Sequence, residues 1–132
     1  MRILLLSYFY TPDIGPGSSR SKSLVDALFN KVSTDLKIDV MTTMPNRYPS
    51  LNIDAKYFES SNRVSIYRIK LPKHKNGKFD QIKAFISYSL KVRKLVSKKK
   101  WDIVIATSGR LMTASLGAWV AKQTGSKLYL DI

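Results

Sequence analysis

Short apolar runs alternate along this chain with longer stretches whose apolar residues recur at helical spacing. The first run, residues 2–7, is continuously apolar from Ile3 to Leu6, a pattern typical of a strand buried on both faces of a parallel sheet. Further strands are predicted over residues 36–44, 63–70, 102–106 and 127–130. Helices are predicted over residues 18–33, 78–99 and 111–124, the first of them capped by Ser18 and Ser19.

This order of elements, β-α-β-β-α-β-α-β, predicts an α/β fold. Strands that alternate with helices are joined as parallel neighbours by right-handed crossovers, and ligands bind outside the carboxyl ends of the strands. We therefore expect one Rossmann-like domain over residues 1–132, a three-layer α/β/α structure with a mainly parallel sheet of about five strands. The loops 8–17, 45–62 and 107–110 should meet at one edge of that sheet.

The second predicted helix carries two chemically different faces. One helical stripe is apolar and is expected to pack on the sheet; it consists of Ile82, Phe85, Ile86, Val92 and Val96. The opposite face carries Lys91, Lys94 and Lys98, and Lys99 and Lys100 follow. These five lysines are either a docking face for an anionic membrane or a solvated face with cations at a helix C-terminus.

Composition excludes several classes of site. The 132 residues contain no cysteine and a single histidine, His74, so a disulfide framework, a thiolate nucleophile and a histidine metal centre are all ruled out. We expect no metal and no cofactor. The sequence shows neither a signal peptide nor a membrane-spanning stretch, which predicts a cytoplasmic protein, peripheral at the inner face of the plasma membrane if it contacts lipid at all.

The loop after the first strand is rich in glycine and proline, but it matches no nucleotide-binding motif. The spacing of a phosphate-binding Walker loop is missing, and Arg20 stands where a dinucleotide-binding loop has its last glycine. Its glycines would still let the backbone approach a phosphate at a helix N-terminus. The alternative is that Gly15 and Gly17 only turn the chain and that Arg20 pairs with a surface carboxylate such as Asp13.

Four segments, in order, resemble family 4 glycosyltransferases, especially those that build bacterial capsule, colanic-acid and O-antigen repeats. They are Met1-Arg-Ile-Leu-Leu-Leu-Ser-Tyr-Phe-Tyr-Thr-Pro-Asp-Ile-Gly15, Met41-Thr-Thr-Met-Pro-Asn-Arg-Tyr-Pro49, Asp102-Ile-Val-Ile-Ala-Thr-Ser108 and Ser126-Lys-Leu-Tyr-Leu-Asp131. The resemblance implies half of a GT-B fold, in which two Rossmann-like domains face a cleft. It implies a transferase, retaining in stereochemistry, that moves sugar from a nucleotide sugar to a lipid-linked or polysaccharide acceptor.

The resemblance also implies roles for individual residues. Beside the donor diphosphate it places Gly15, Gly17 and Ser18, with Arg20 in the same substrate-binding set. Facing the acceptor or the sugar it places Asn46, Arg47, Thr107 and Ser108. Most donor contacts belong to a second domain that we expect beyond Ile132, so this chain would be an acceptor-side half without turnover of its own. Gly109 and Arg110 replace the prolines that similar chains carry there.

The net charge of +14 supports a second hypothesis from a different class. So large a positive field attracts polyanions, so the chain would be a non-enzymatic module for nucleic acid or an anionic membrane. No RNA-binding signature is present, and nucleic acid is therefore the less favoured partner.

Overall fold

The computed structural model describes residues 1–12, 16–31, 35–44, 55–61, 63–71, 78–97, 99–107 and 111–131. Its elements, in chain order, are β1 (Arg2–Leu6), α1 (Pro16–Lys31), β2 (Lys37–Thr43), β3 (Phe58–Ser60), β4 (Val64–Ile69), α2 (Lys78–Val96), β5 (Ile103–Thr107), α3 (Leu111–Thr124) and β6 (Lys127–Asp131). They form a six-stranded sheet in the order β3-β4-β2-β1-β5-β6.

Five of the six strands are parallel, which confirms the predicted α/β Rossmann-like fold. Alternate side chains of β1 enter two separate cores, since Leu4 and Leu6 pack with α2 and α3, while Ile3 and Leu5 pack with α1. Helices thus cover both faces of the sheet, as expected for a three-layer α/β/α structure. The continuous apolar run of β1 follows directly from its burial on both sides.

The sixth strand, β3, lies within the predicted loop 45–62 and corrects the prediction that these residues form no strand. Its three residues pair antiparallel with β4, opposite Ser65, Ile66 and Tyr67. The rings of Phe58 and Tyr67 lie 5.0 Å apart, so a cross-strand aromatic contact supports this short pairing. Three residues are too few to show a period of two, and sequence periodicity therefore missed the strand.

The two longer helices differ from expectation at particular residues. Helix α1 begins at Pro16, a residue favoured at the first helical position, so Ser18 and Ser19 lie inside the helix and do not cap it. Helix α2 ends at Val96, three residues before the predicted end. Two residues of its predicted buried stripe, Ile82 and Ile86, are 44% and 49% exposed.

The other three residues of that stripe, Phe85, Val92 and Val96, are buried as predicted, and the buried face also includes Ala84 and Tyr88, both at 0% exposure. The helix is therefore rotated relative to the predicted stripe, and Tyr88 is its anchor. Its ring packs in the core, and its hydroxyl donates a 2.7 Å hydrogen bond to the carbonyl oxygen of Met41 in β2. A tyrosine whose hydroxyl is hydrogen-bonded can be fully buried, so it can take the place in the core that the spacing of apolar residues predicted for isoleucine.

Helix α3 packs closely on β5 because one of its residues has no side chain. A Cβ added to Gly117 would lie 2.6 Å from the Cβ of Ala106, a distance that requires one backbone to move. We expect Gly117→Ala to lower the free energy of unfolding by about 1–3 kcal/mol, as overpacking does in tight cores. Urea denaturation measures the change. The exposed neighbour Ala118 provides the control, since Ala118→Ser should change stability by less than about 0.5 kcal/mol; equal effects would contradict the close packing.

Candidate functional site

The carboxyl ends of the five parallel strands define one edge of the sheet. At this edge the chain leaves two central strands, β1 and β5, toward opposite faces of the sheet. Strands β1 and β5 are hydrogen-bonded neighbours. The helix that follows β1 packs on one face of the sheet, and the helix that follows β5 packs on the other. In open α/β sheets such a reversal leaves a crevice between the two helix starts, and this is the position at which they bind their ligands. We call it the switch-point crevice.

The α1 side of the crevice is held by a network of hydroxyl groups. The Ser7 and Ser21 Oγ atoms lie 2.7 Å apart, and Ser7 Oγ donates to the carbonyl oxygen of Phe9 at 2.6 Å. This network ties the end of β1 to the first turns of α1. The N-terminal amides of α1 thereby lie at the carboxyl edge, where unpaired donors and the helix dipole favour an anion.

Ser18, the third residue of α1, is 2% exposed, and its Oγ has no hydrogen-bond partner among the described residues. Thr113 repeats this arrangement as the third residue of α3, with 1% exposure and an Oγ1 that likewise lacks a partner in the described part of the chain. Buried hydroxyls usually find partners, so two orphans at matching positions are unusual. Both lie in the first turns of the helices that border the switch-point crevice.

The segment after β1 is fixed from the side of β2. Thr43 Oγ1 donates to the carbonyl oxygen of Tyr8 at 2.7 Å, and Thr42 Oγ1 donates to the same atom at 3.3 Å. The Tyr8 ring contacts the rings of Phe85 and Tyr88 at 6.2 and 5.5 Å between centroids. The backbone and the side chain of Tyr8 are therefore both fixed by contacts, which defines the path of the chain where it leaves β1.

Arg68 of β4 also holds the segment after β1 in place, and it was not predicted from the sequence. Polar residues alternate with apolar ones over much of β4, a pattern in which an arginine is expected to face solvent, but Arg68 is 6% exposed. Its guanidinium donates to the carbonyl oxygens of Thr11 and Lys56 at 2.8 and 3.0 Å, and to the Glu59 carboxylate at 2.9 Å. One side chain thus joins the β1 loop, the approach to β3 and β3 itself.

A cleft of about 580 Å³ opens beside this loop, on the face of the sheet that α1 covers. It is lined by Tyr10, Thr11, Lys22, Val25, Asp26, Phe29, Glu59, Ser61, Arg63, Val64, Ile66 and Arg68. Two of its ion pairs, Lys22 with Asp26 and Arg68 with Glu59, neutralise most of the charge on the wall. The cleft is large enough for a sugar-sized group.

Burial raises the pKa of the Tyr10 hydroxyl in this cleft to about 12, with a smaller contribution from the nearby Asp26 carboxylate. Burial also raises the pKa of Tyr88. Each folded-state pKa lies above the unfolded value of 10, so the stabilisation is complete below pH 10 and is lost as pH rises above it.

We therefore expect the free energy of unfolding to fall between pH 10 and about 12 as unfolded-state tyrosines ionise. Urea denaturation across this window measures the slope. Tyr10→Phe should flatten it, because one of the two perturbed groups is removed. A slope unchanged by that substitution would contradict the burial of the Tyr10 hydroxyl.

The structure describes only some of the residues that the family resemblance pointed to. Ser18 lies at the start of α1, Arg20 is an exposed residue two positions further, and Thr107 is the last residue of β5, all at the carboxyl edge. The backbone of Gly17 is part of α1. Predicted residues outside the described part of the chain are Gly15, Asn46, Arg47, Ser108 and the Arg20 partner Asp13.

The lysines near the end of α2 have different environments. Lys91 Nζ donates to the carbonyl oxygen of Lys70 at 3.0 Å, and Lys99 contacts both the hydroxyl and the ring face of Tyr67. Lys94 and Lys100 are exposed, and Lys98 lies outside the described residues. Two of the five predicted docking lysines therefore make intramolecular contacts. The proposed common function of the five remains a prediction.

Two features are absent from the described part of the chain. No group of three or more His, Asp or Glu side chains there is placed to hold a metal ion. No helix of those ranges is long and apolar enough to cross a membrane.

Comparisons with known proteins show the fold. No protein-family model matches the chain, and no curated protein sequence is detectably similar. Among solved structures, the C-terminal domain of a hydrogenase from Pyrococcus furiosus aligns with a TM-score of 0.60 at 17% identity, over 99% of this chain and 90% of the other. A transferase from Siraitia grosvenorii, solved in complex with UDP, aligns with a TM-score of 0.58 at 21% identity.

The second alignment covers 98% of this chain but only 27% of the plant transferase, so this chain spans about a quarter of that protein's length. At such low identities the two neighbours share a fold with this chain, and their different descriptions do not transfer. The comparisons therefore establish a Rossmann-like α/β fold.

Proposed function

We propose that this chain is the N-terminal, acceptor-side domain of a GT-B glycosyltransferase. The observation that carries the proposal is the switch-point crevice, where the N-termini of α1 and α3 border the same edge of the sheet from opposite faces. The four family-like segments and the UDP-bound structural neighbour support it. The reaction would transfer a sugar from a nucleotide sugar to a lipid-linked or polysaccharide acceptor.

Within this proposal the start of α1 approaches the donor diphosphate. The positive end of the helix dipole and the backbone amides of the first turn favour two adjacent phosphates. The exposed Arg20 adds a cation in the second turn of the helix. Thr107, at the end of the neighbouring strand, would face the acceptor. A second domain across the cleft would supply most contacts to the nucleotide.

We also propose that the enzyme belongs to glycosyltransferase family 4 and retains the configuration of the transferred sugar. It would assemble a bacterial surface glycan and act at the inner face of the plasma membrane. A lipid-linked acceptor gives the last of these a physical reason, because the acceptor itself stays at the membrane. No cofactor is required by the proposed chemistry.

One observation favours the competing function, a polyanion-binding module. A cavity of about 350 Å³ at the amino edge of the sheet is bordered by four cations, Arg2, Lys37, Arg63 and Lys99, and by one carboxylate, Asp39. Arg2 and Trp101 both donate to that carboxylate, at 3.1 and 2.8 Å, so its charge is largely compensated. A phosphate-rich ligand at this edge would support the alternative.

The proposal is tested by titrating this chain with UDP, a UDP-sugar and inorganic diphosphate in a calorimeter. We expect weak, salt-sensitive binding and no sugar release, since most donor contacts belong to the second domain. Arg20→Gln should weaken binding, whereas Arg93→Gln, which removes an exposed cation of α2, should not. Saturable low-micromolar affinity, turnover by this chain, or equal effects of the two substitutions would contradict the proposal.

A genetic observation separates the two functions more directly. An in-frame, Rossmann-like second domain encoded after Ile132 would support the transferase. A stop codon directly after that position would support a standalone binding module.

A further inference from the structure

The outer face of α2 carries an apolar stripe that no described residue covers. Phe79 is 82% exposed and Leu90 is 59% exposed, and both lie on the side opposite the buried anchor Tyr88. Ile82 and Ile86 lie between them at 44% and 49% exposure. Residues spaced three to four apart share one helix face, so the four side chains form a continuous stripe roughly 16 Å long.

A stripe of this kind needs an explanation, because solitary exposed apolar residues are common but contiguous ones mark interaction sites. Packing among the described residues does not provide one. Helix α2 already contacts the sheet through Ala84, Tyr88 and Val92, all fully buried on the other side. The helix is thus apolar on two opposite faces, and only one of them serves the core.

The charges beside the stripe indicate what binds there. Exposed cations flank it on α2, namely Lys83, Arg93 and Lys94, and Lys91 is exposed further around the helix. Asp80 is the only acidic residue of the whole helix. An apolar stripe bordered by Lys and Arg is the pattern of helices that lie in the plane of an anionic bilayer, with apolar side chains among the acyl chains and cations at the headgroups.

A second copy of this chain fits the stripe poorly. Two molecules that each carry a net charge of +14 repel one another, and a shared α2 interface would bring the flanking cations of both copies together. An anionic surface reverses the sign of that interaction and attracts the same residues.

We propose that the outer face of α2 is a membrane-docking surface that inserts Phe79, Ile82, Ile86 and Leu90 into an anionic lipid leaflet. Attachment then depends on apolar insertion as well as on charge, unlike the five-lysine face considered above. The inference rests on α2 alone and does not require sugar transfer. It deepens the proposed function in one respect, because α2 starts from the carboxyl edge and docking would hold that edge near a lipid-linked acceptor.

The test compares binding of the chain to vesicles of phosphatidylcholine alone and of phosphatidylcholine mixed equally with phosphatidylglycerol, by co-sedimentation at low and high salt. The variant that removes the stripe without changing any charge carries Phe79→Gln, Ile82→Gln, Ile86→Gln and Leu90→Gln. Glutamine is a good helix former, so circular dichroism should show an intact helix. We expect at least about tenfold weaker binding to the anionic vesicles.

The matched control carries Tyr129→Gln and Leu130→Gln on β6, two apolar residues of similar exposure at 59% and 45%. It should bind as the unchanged chain does. A second variant with Lys83→Gln and Lys94→Gln should weaken binding at low salt, while both forms converge at high salt. Equal losses in the stripe variant and the β6 control would overturn the proposal, as would a lack of binding to either vesicle.

Insertion itself is measured by fluorescence quenching with brominated lipids. A tryptophan placed by Phe79→Trp should be quenched by anionic brominated vesicles, and one placed by Tyr129→Trp should not, after subtraction of the signal from Trp101 and Trp119. Quenching at neither position would overturn insertion. A vesicle-independent dimer that only the stripe variant abolishes would assign the face to self-association instead. Since no nucleotide is present, a failure here leaves the donor-binding test unaffected.

Discussion

Arg68→Ala is expected to lower the free energy of unfolding by about 3 kcal/mol, one of the two largest effects in this domain. The substitution removes three charge-assisted hydrogen bonds from a side chain that is almost fully buried. Breaking a buried, hydrogen-bonded pair costs about 3–5 kcal/mol. We take the lower end because Glu59 is 43% exposed in its side chain and can be solvated once Arg68 is gone.

The loss should be accompanied by a local change at the site. Without the guanidinium, the carbonyl oxygen of Thr11 loses its donor and the segment after β1 loses one of its fixed points. Amide exchange in residues 8–12 should therefore accelerate more than exchange in β5. Arg63→Ala, at the residue before β4, is the control; its cation–π contact with Phe29 and its 3.4 Å hydrogen bond to the carbonyl oxygen of Leu36 predict a cost of about 0.5–1.5 kcal/mol. A loss below about 1 kcal/mol for Arg68→Ala would show that the three contacts carry little energy.

Tyr88→Ala is the second large effect, with an expected loss of about 3–5 kcal/mol, as for truncation of other buried aromatic side chains. The side chain is fully buried among residues of α2, β1 and β5, and its ring contacts Tyr8 and Phe85. Truncation would leave a cavity beneath the segment that leads into α1. Thermal and urea denaturation both measure the loss.

Tyr88→Phe separates the ring from the hydroxyl. The phenylalanine retains the packing and loses one hydrogen bond to the carbonyl oxygen of Met41, so we expect a cost of about 1 kcal/mol. The backbone amide of Ser7 also donates to that oxygen, at 3.3 Å, and keeps it from being left without a partner. If the two substitutions cost the same, the hydroxyl and not the ring would be the source of the stability.

The parallel sheet was predictable because its central strands are buried on both faces. Ile3 to Leu6 and Ile103 to Ala106 are apolar at every position, and such runs rarely occur in half-exposed strands. The three-residue β3 was not predictable, since its sequence Phe-Glu-Ser has no visible period and its pairing depends on a contact with Tyr67.

The rotation of α2 shows a different limit. A helical stripe in sequence identifies an apolar face but does not say which of two such faces meets the sheet. Ile82 and Ile86 fit the predicted stripe, yet packing selected the neighbouring face with Tyr88, whose hydroxyl has a partner in β2. The apolar face of α2 that does not meet the sheet is the stripe for which membrane docking is proposed.

The position of the candidate site could be predicted from topology, whereas the contacts that support its loops could not. Parallel strands place Ser18 and Thr107 at one edge once their elements are assigned, and the structure has both residues there. Arg68 was missed because an arginine in an alternating strand is expected to face solvent. Its burial depends on acceptors from Thr11, Lys56 and Glu59, which are distant in sequence.

The central claim, ligand recognition at the switch-point crevice, is tested most directly by mapping backbone amide shifts in nuclear magnetic resonance spectra during titration with UDP. We expect perturbations in residues 8–12 and 16–20 and around Thr107 and the start of α3, all reduced by added salt. Perturbations confined to the amino edge, around Lys37 and Lys99, or the absence of any localised change, would contradict it.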